Sequence, residues 1–121
     1  VIGGYSLGGL FSLYAAVKTD LFGTVLSCSS SLWYPGFLDY LKEHPFKATH
    51  PKLYMSVGDQ EGTTATNLTA DQTSNTLALK DWIEPKFQAG DFQFTLEEGN
   101  HGNDIPGRAW RAVEWVEENS K

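Results

Sequence analysis

Seven residues, Gly3-Gly4-Tyr5-Ser6-Leu7-Gly8-Gly9, separate the apolar pair Val1-Ile2 from the apolar run Leu10 to Val17. Four glycines in those seven positions open backbone angles closed to other residues and let two chain segments meet with no side chain between them. Val1-Ile2 reads as the end of a buried strand. Leu10, Phe11, Leu13, Tyr14, Ala15, Ala16 and Val17 are apolar almost all round, the pattern of a helix buried against a sheet, and the helix is expected to end near Lys18 to Asp20. A buried strand turning sharply into a buried helix belongs to an α/β sheet.

The rest of the chain keeps that alternation. Thr24 to Cys28 and Lys52 to Val57, the latter closed by Gly58, have strand length and β-branched or apolar content. Phe37, Leu38 and Leu41 predict a short helix ending by His44-Pro45, after the polar and aromatic loop Ser29 to Gly36. Gly58 through Asn75, rich in Thr, Asn, Asp and Gly, reads as a long surface loop leading into a helix. Leu79, Trp82, Ile83 and Phe87 recur at helical spacing until Pro85 kinks or ends the helix. Phe92, Phe94 and Leu96 alternate, so Asp91 to Glu97 is a strand with one apolar face. Pro106 to Glu118 is a final amphipathic helix, with Trp110, Val113 and Val116 toward the core. Strands alternating with helices imply right-handed crossovers and a parallel sheet. At 121 residues the chain is one domain with one core.

Within this frame Gly4-Tyr5-Ser6-Leu7-Gly8 matches G-x-S-x-G, the turn that raises a nucleophilic serine above the sheet between a strand and a helix. The glycines are there because side chains would clash where strand and helix crowd the turn. The alternative is a Gly-rich turn whose serine merely caps a helix; the strand before the motif and the helix after it favour the nucleophile. The backbone N–H of Leu7, at the start of that helix, would face a developing oxyanion.

Such a serine needs a base and an acid. In folds with this turn the acid follows one strand and the histidine a later one, and both stations are filled. Asp59 and Glu61 follow the strand Lys52 to Val57, and His101 follows the strand Asp91 to Glu97. His101 is the candidate general base, with a carboxylate to fix its tautomer. Glu61 is favoured as the acid for its reach, while Asp59, directly after Gly58, is placed to bind local backbone amides; spacing leaves both open. His44 and His50 lie beside prolines, away from the triad stations.

Composition removes other classes. A formal net charge of −6 and the lack of a Lys/Arg cluster disfavour nucleic acid. No apolar run approaches the length of a membrane span. The single cysteine, Cys28, makes no internal disulfide and reads as a small buried hydrophobe. The three histidines lack zinc-ligand spacing, and no metal or other cofactor is implied. Asn67-Leu68-Thr69 is a glycosylation sequon that matters only in a secreted chain. Residues 1–20 lack a signal peptide's charged start and cleavage site, and the expected location is the cytoplasm.

Four segments carry a family resemblance: Gly3 to Phe11, Ser29-Ser30-Ser31-Leu32-Trp33-Tyr34, Gly58-Asp59-Gln60-Glu61, and Glu98-Gly99-Asn100-His101-Gly102. On these the chain resembles the C-terminal half of the esterase family of α/β hydrolases that contains enterochelin and other siderophore esterases. The resemblance implies the parallel-sheet α/β-hydrolase fold from the nucleophile elbow onward. It also implies hydrolysis of small-molecule carboxylic esters through an acyl-enzyme, with Ser6 and His101 as catalytic residues and Glu61 as the favoured acid. Trp33 and Tyr34 would wall the acyl or alcohol pocket, or be ordinary core aromatics. The same family includes acyltransferases with the same residues, and a noncatalytic module that keeps the motif is the reading from another class.

The chain opens on Val1 without a starting Met, as if within a strand. The expectation is a partial domain lacking the N-terminal strands, one of whose loops carries the second oxyanion donor of this fold. Such a chain is expected to be a poor or inactive esterase by itself, and to associate, as a homodimer or with a partner fragment, through the unpaired edge of its first strand.

Overall fold

The computed structural model describes residues 1–61 and 72–119; the sequon Asn67-Leu68-Thr69 lies outside them. The elements run β1 (Ile2–Tyr5), α1 (Leu7–Lys18), β2 (Thr24–Cys28), α2 (Phe37–Glu43), β3 (Lys52–Gly58), α3 (Gln72–Ile83), β4 (Phe92–Glu97) and α4 (Ile105–Glu118). A 3-10 turn, Glu84–Lys86, carries Pro85 and finishes α3, as a proline without an N–H requires.

All four strands are parallel, in the order β1-β2-β3-β4. β2 and β3 are central and buried along almost their whole length, hence their continuous apolar runs. Leu13, Val17, Val25, Leu53, Met55 and Leu79 join α1, α2 and α3 to one face of the sheet. Leu26, Cys28 and Tyr54 point to the other face, where α4 closes over them with Ala112, Trp115 and Val116. Since the strands are parallel, the loops after β1, β2, β3 and β4 all leave from one edge of the sheet, the edge where open α/β sheets hold their ligands.

The structure differs from the sequence reading in three places. α3 begins at Gln72, inside the stretch expected to be loop as far as Asn75. Its polar start is held by side-chain bonds: Thr73 Oγ1 donates to the carbonyls of Gly58 and Glu61, and Thr76 Oγ1 to that of Gln72.

On α4, Trp110 and Val113 lie on the outer face, 61% and 49% exposed, while Arg108 and Ala112 are buried. Positions 108, 112, 115 and 116 follow the i, i+4, i+7, i+8 stripe of a helix, whereas 110, 113 and 116 drift off it in steps of three. The arginine within the stripe hid it from an apolar count.

On β4, Phe92 and Phe94 pack on the core, but Leu96 is exposed and Glu97 is buried. β4 is an edge strand, and Arg111 of α4 covers the Glu97 carboxylate with bonds of 3.0 and 2.8 Å.

Candidate active site

Ser6 occupies the turn between β1 and α1 with φ 63° and ψ −121°. Such backbone angles are rare for a residue with a Cβ and cost on the order of 1–3 kcal/mol. The surroundings hold them. Ser6 N donates to Cys28 O at 3.0 Å, and Ser6 O accepts from Leu10 N and Ser31 N, each at 3.1 Å. Packing explains the glycine at position 4: a Cβ there would stand 2.3 Å from the backbone carbon of Gly8. The side chain is thereby lifted off the sheet edge, its Oγ free of any cap bond to the helix.

His101 arrives from the loop after β4 and places Nε2 3.1 Å from Ser6 Oγ. Its Nδ1 lies 2.7 Å from Glu61 Oε1. An ionised carboxylate only accepts, so Nδ1 carries the ring proton and Nε2 offers its lone pair to the serine hydroxyl. The ring lies with its centroid 5.0 Å from that of Tyr5, the residue preceding the serine, the two planes tilted by 38°. Its side chain is 43% exposed, against 0% for Glu61: the imidazole faces solvent and the carboxylate is enclosed.

Glu61 is held from all sides. Oε1 accepts from His101 Nδ1 and from Gln72 Nε2; Oε2 accepts from Ser29 Oγ at 2.7 Å, from Arg108 Nη1 at 3.0 Å and from Gly58 N. Burial pushes its carboxyl up, but the hydrogen bonds from His101, Ser29, Gly58 and Gln72 outweigh that and hold it down at about 2. It is therefore an anion throughout the neutral range.

Asp59, the other candidate acid, is not brought to the histidine. Its Oδ1 accepts from Gly99 N at 3.0 Å, and its N donates to Glu97 O. The carboxylate ties the acid loop to the histidine loop through backbone amides. Two positions of difference separate them: Gly58 ends the strand, and the turn at 58–61 directs Glu61 back under the sheet edge, its N donating to Gly58 O.

A pocket of about 330 Å³ opens over the serine, lined by Ser6, Leu7, Ser31, Trp33, Gln72 and His101. Leu7 is the first residue of α1, so its N–H belongs to the first turn, whose donors have no acceptor within the helix. Trp33 walls this pocket. Tyr34 does not: it is half exposed and lines a neighbouring apolar groove of about 480 Å³ with Leu7, Phe11 and Tyr40. The bend of the loop after Trp33 turns the two adjacent aromatics to different sides. Among the described residues no group of three or more His, Cys, Asp or Glu is placed to hold a metal ion, and no helix is long and apolar enough to cross a membrane.

Four residues of this network were given no individual role from the sequence. Ser29 and Ser31 lie in a segment that carries the family resemblance, but nothing local marks their hydrogen bonds to Glu61 and Ser6, and Gln72 is a polar residue in a polar stretch. Arg108 does carry a signal, as a lone cation on the buried stripe of an amphipathic helix.

A parallel sheet with a serine on a strained strand-to-helix turn, and an acid and a histidine on the next loops of the same edge, is the α/β-hydrolase fold from the nucleophile elbow onward. Known proteins share this fold. The siderophore hydrolase EstB from Aspergillus nidulans superposes with a TM-score of 0.73 at 21% identity, over 94% of this chain and 48% of that one. An IroE-like serine hydrolase from Shewanella oneidensis gives 0.74 at 22% identity, over 92% and 37%. In sequence, the uncharacterized protein YbbA of Bacillus subtilis is 26% identical over 117 residues, which are 93% of this chain and 47% of that protein. The chain thus spans about half the length of the relatives it matches. No family model matches it.

Proposed function

We propose that this chain carries the catalytic residues of a serine carboxylesterase. Ser6 attacks the ester carbonyl while His101 Nε2 takes its proton, and the Leu7 N–H stabilises the oxyanion. His101 then delivers the proton to the departing alcohol, leaving an acyl-serine that water hydrolyses by the same steps. Glu61 fixes the imidazole and stabilises its cation; Trp33 borders the bound ester. The observation that carries the reading is the continuous chain from Ser6 Oγ to His101 Nε2 at 3.1 Å and from His101 Nδ1 to Glu61 Oε1 at 2.7 Å.

The likeness to the siderophore hydrolases EstB and EstA of Aspergillus nidulans supports siderophore-type esters as the small-molecule substrate class. The edge of β1, which pairs only with β2 among the described strands, and the exposed side chains of Leu7, Phe11 and Tyr14 beside it support association with a second chain, a homodimer included. The proposed location is the cytoplasm, on the sequence reading alone.

The experiment is labelling with a fluorophosphonate, read by intact mass and peptide mapping. Modification at Ser6, lost in Ser6→Ala, is the expected result; a full-length protein of native circular dichroism that stays unmodified at Ser6 overturns the esterase reading.

A further inference from the structure

Among the described residues Arg108 is the largest fully buried side chain, with 0% of its surface exposed. Burying a guanidinium is expensive unless its donors are satisfied, and here they are spent in an informative way. Nη1 donates to Glu61 Oε2 and Ser29 Oγ, each at 3.0 Å. Nη2 donates to Asn100 O at 2.7 Å and to Glu98 O at 3.3 Å. One rigid plane therefore grips the acid with one nitrogen and, with the other, the carbonyl of the residue immediately before His101. Of the guanidinium nitrogens, Nε has no partner among the described residues.

We propose that Arg108 is a positioning residue of the candidate site: its guanidinium ties the Glu61 carboxylate to the backbone that carries His101, and so fixes acid and base as one unit. This inference rests on the reading of Ser6, Glu61 and His101 as a triad.

Three features set it apart from an ordinary buried ion pair. The arginine comes from α4, an element that supplies none of the three triad residues, so it joins the loops after β2, β3 and β4 from outside. Its two grips end on Glu61 and on the carbonyl of Asn100, the residue before His101, and so flank the hydrogen bond from His101 Nδ1 to Glu61 Oε1 at 2.7 Å, whose length sets where Nε2 stands relative to Ser6. The fit is also tight: a Cβ on Gly58 would come within 2.9 Å of Arg108 Nη2 and 3.0 Å of Glu61 Oε2. Lysine has a single nitrogen on a flexible stem and cannot span both grips in one plane.

The test compares Arg108→Gln and Arg108→Lys with the wild-type chain by the rate of fluorophosphonate labelling at Ser6 across pH, alongside circular dichroism. Displacing a reacting group by about 1 Å costs roughly 100-fold. Labelling at saturating reagent is therefore expected to fall about 10- to 100-fold in both variants, with half-saturation little changed. In Arg108→Gln, which removes the cation beside Glu61, the carboxyl carbon of Glu61 followed by 13C NMR is expected to titrate at higher pH than in the wild type; Arg108→Lys is expected to restore much of that position but not the labelling rate. A folded Arg108→Gln protein with wild-type labelling and an unmoved Glu61 titration overturns the proposal.

If neither variant folds, the wild-type chain decides: a guanidinium gripped at both ends shows slow rotation and separate Nη signals by 15N NMR, which shift when Ser6 is phosphonylated. A freely rotating Arg108 guanidinium, or one blind to Ser6 modification, overturns the proposal. If Ser6 does not label in the full-length protein, the esterase reading fails, while the Glu61 titration and the guanidinium rotation still report on whether Arg108 holds the acid to the histidine loop.

Discussion

His101 Nε2 stands 3.1 Å from Ser6 Oγ across 95 positions of sequence. Their spacing is the sum of two loops leaving one edge of a parallel sheet, and it is set by what those loops are bonded to. His101 and Ser6 are therefore expected to act as a pair. Replacing His101 with Gln should slow fluorophosphonate labelling of Ser6 by on the order of 10⁴-fold, with thermal stability close to wild type because its side chain is 43% exposed.

The two acids should separate cleanly. In Asp59→Asn the labelling rate should stay within about 3-fold of wild type, since an amide oxygen can still accept from Gly99 N at an exposed site. In Glu61→Gln it should fall by on the order of 10²-fold or more, and the protein should lose about 3 kcal/mol because Arg108 remains buried with its counter-charge gone. Urea denaturation and labelling on the same samples check both halves. Equal losses in the two variants would reject the assignment of Glu61.

Acid should weaken the fold through the same carboxylate. Glu61 titrates at about 2 when folded against an ordinary value of 4.5. The unfolded chain binds the proton more tightly, so this group's contribution is full above about pH 4.5 and is lost as pH falls toward about 2. The urea midpoint should drop across that window in the wild type and drop less in Glu61→Gln.

Gly58 is expected to refuse a methyl group. A Cβ there meets Gly99 O at 2.3 Å, a backbone atom with no freedom to move aside, as well as Arg108 and Glu61. Gly58→Ala should cost about 1–3 kcal/mol and slow labelling of Ser6, because the crowded atoms are those that hold the acid. Thermal melts with a labelling time course read both effects.

The orientation of α4 has its own check. Trp110→Ser should change stability by less than about 0.5 kcal/mol, as an exposed substitution does. Trp115→Ala should cost about 2–3 kcal/mol, because that ring packs 5.8 Å from the buried Tyr54. The reverse order of effects would put the helix the other way round.

The sequence by itself determined the elements and the order of the chemistry. Strand and helix periods, and glycines at the one turn too crowded for side chains, are local properties, and they placed Ser6 on the elbow and the candidate acid and His101 after later strands. Local signals also misled where one residue of unexpected type sat in a pattern: Arg108 disguised the buried stripe of α4, and the polar start of α3 passed for loop. Only the tertiary structure brought Glu61 rather than Asp59 to His101, sent Trp33 and Tyr34 to different pockets, and brought Ser29, Gln72 and Arg108 around one carboxylate. The physical reason is the range of the interactions. Periodicity and turn chemistry act over a few residues, whereas a hydrogen bond between side chains 40 or 47 positions apart exists only once the sheet has set the loops that carry them side by side.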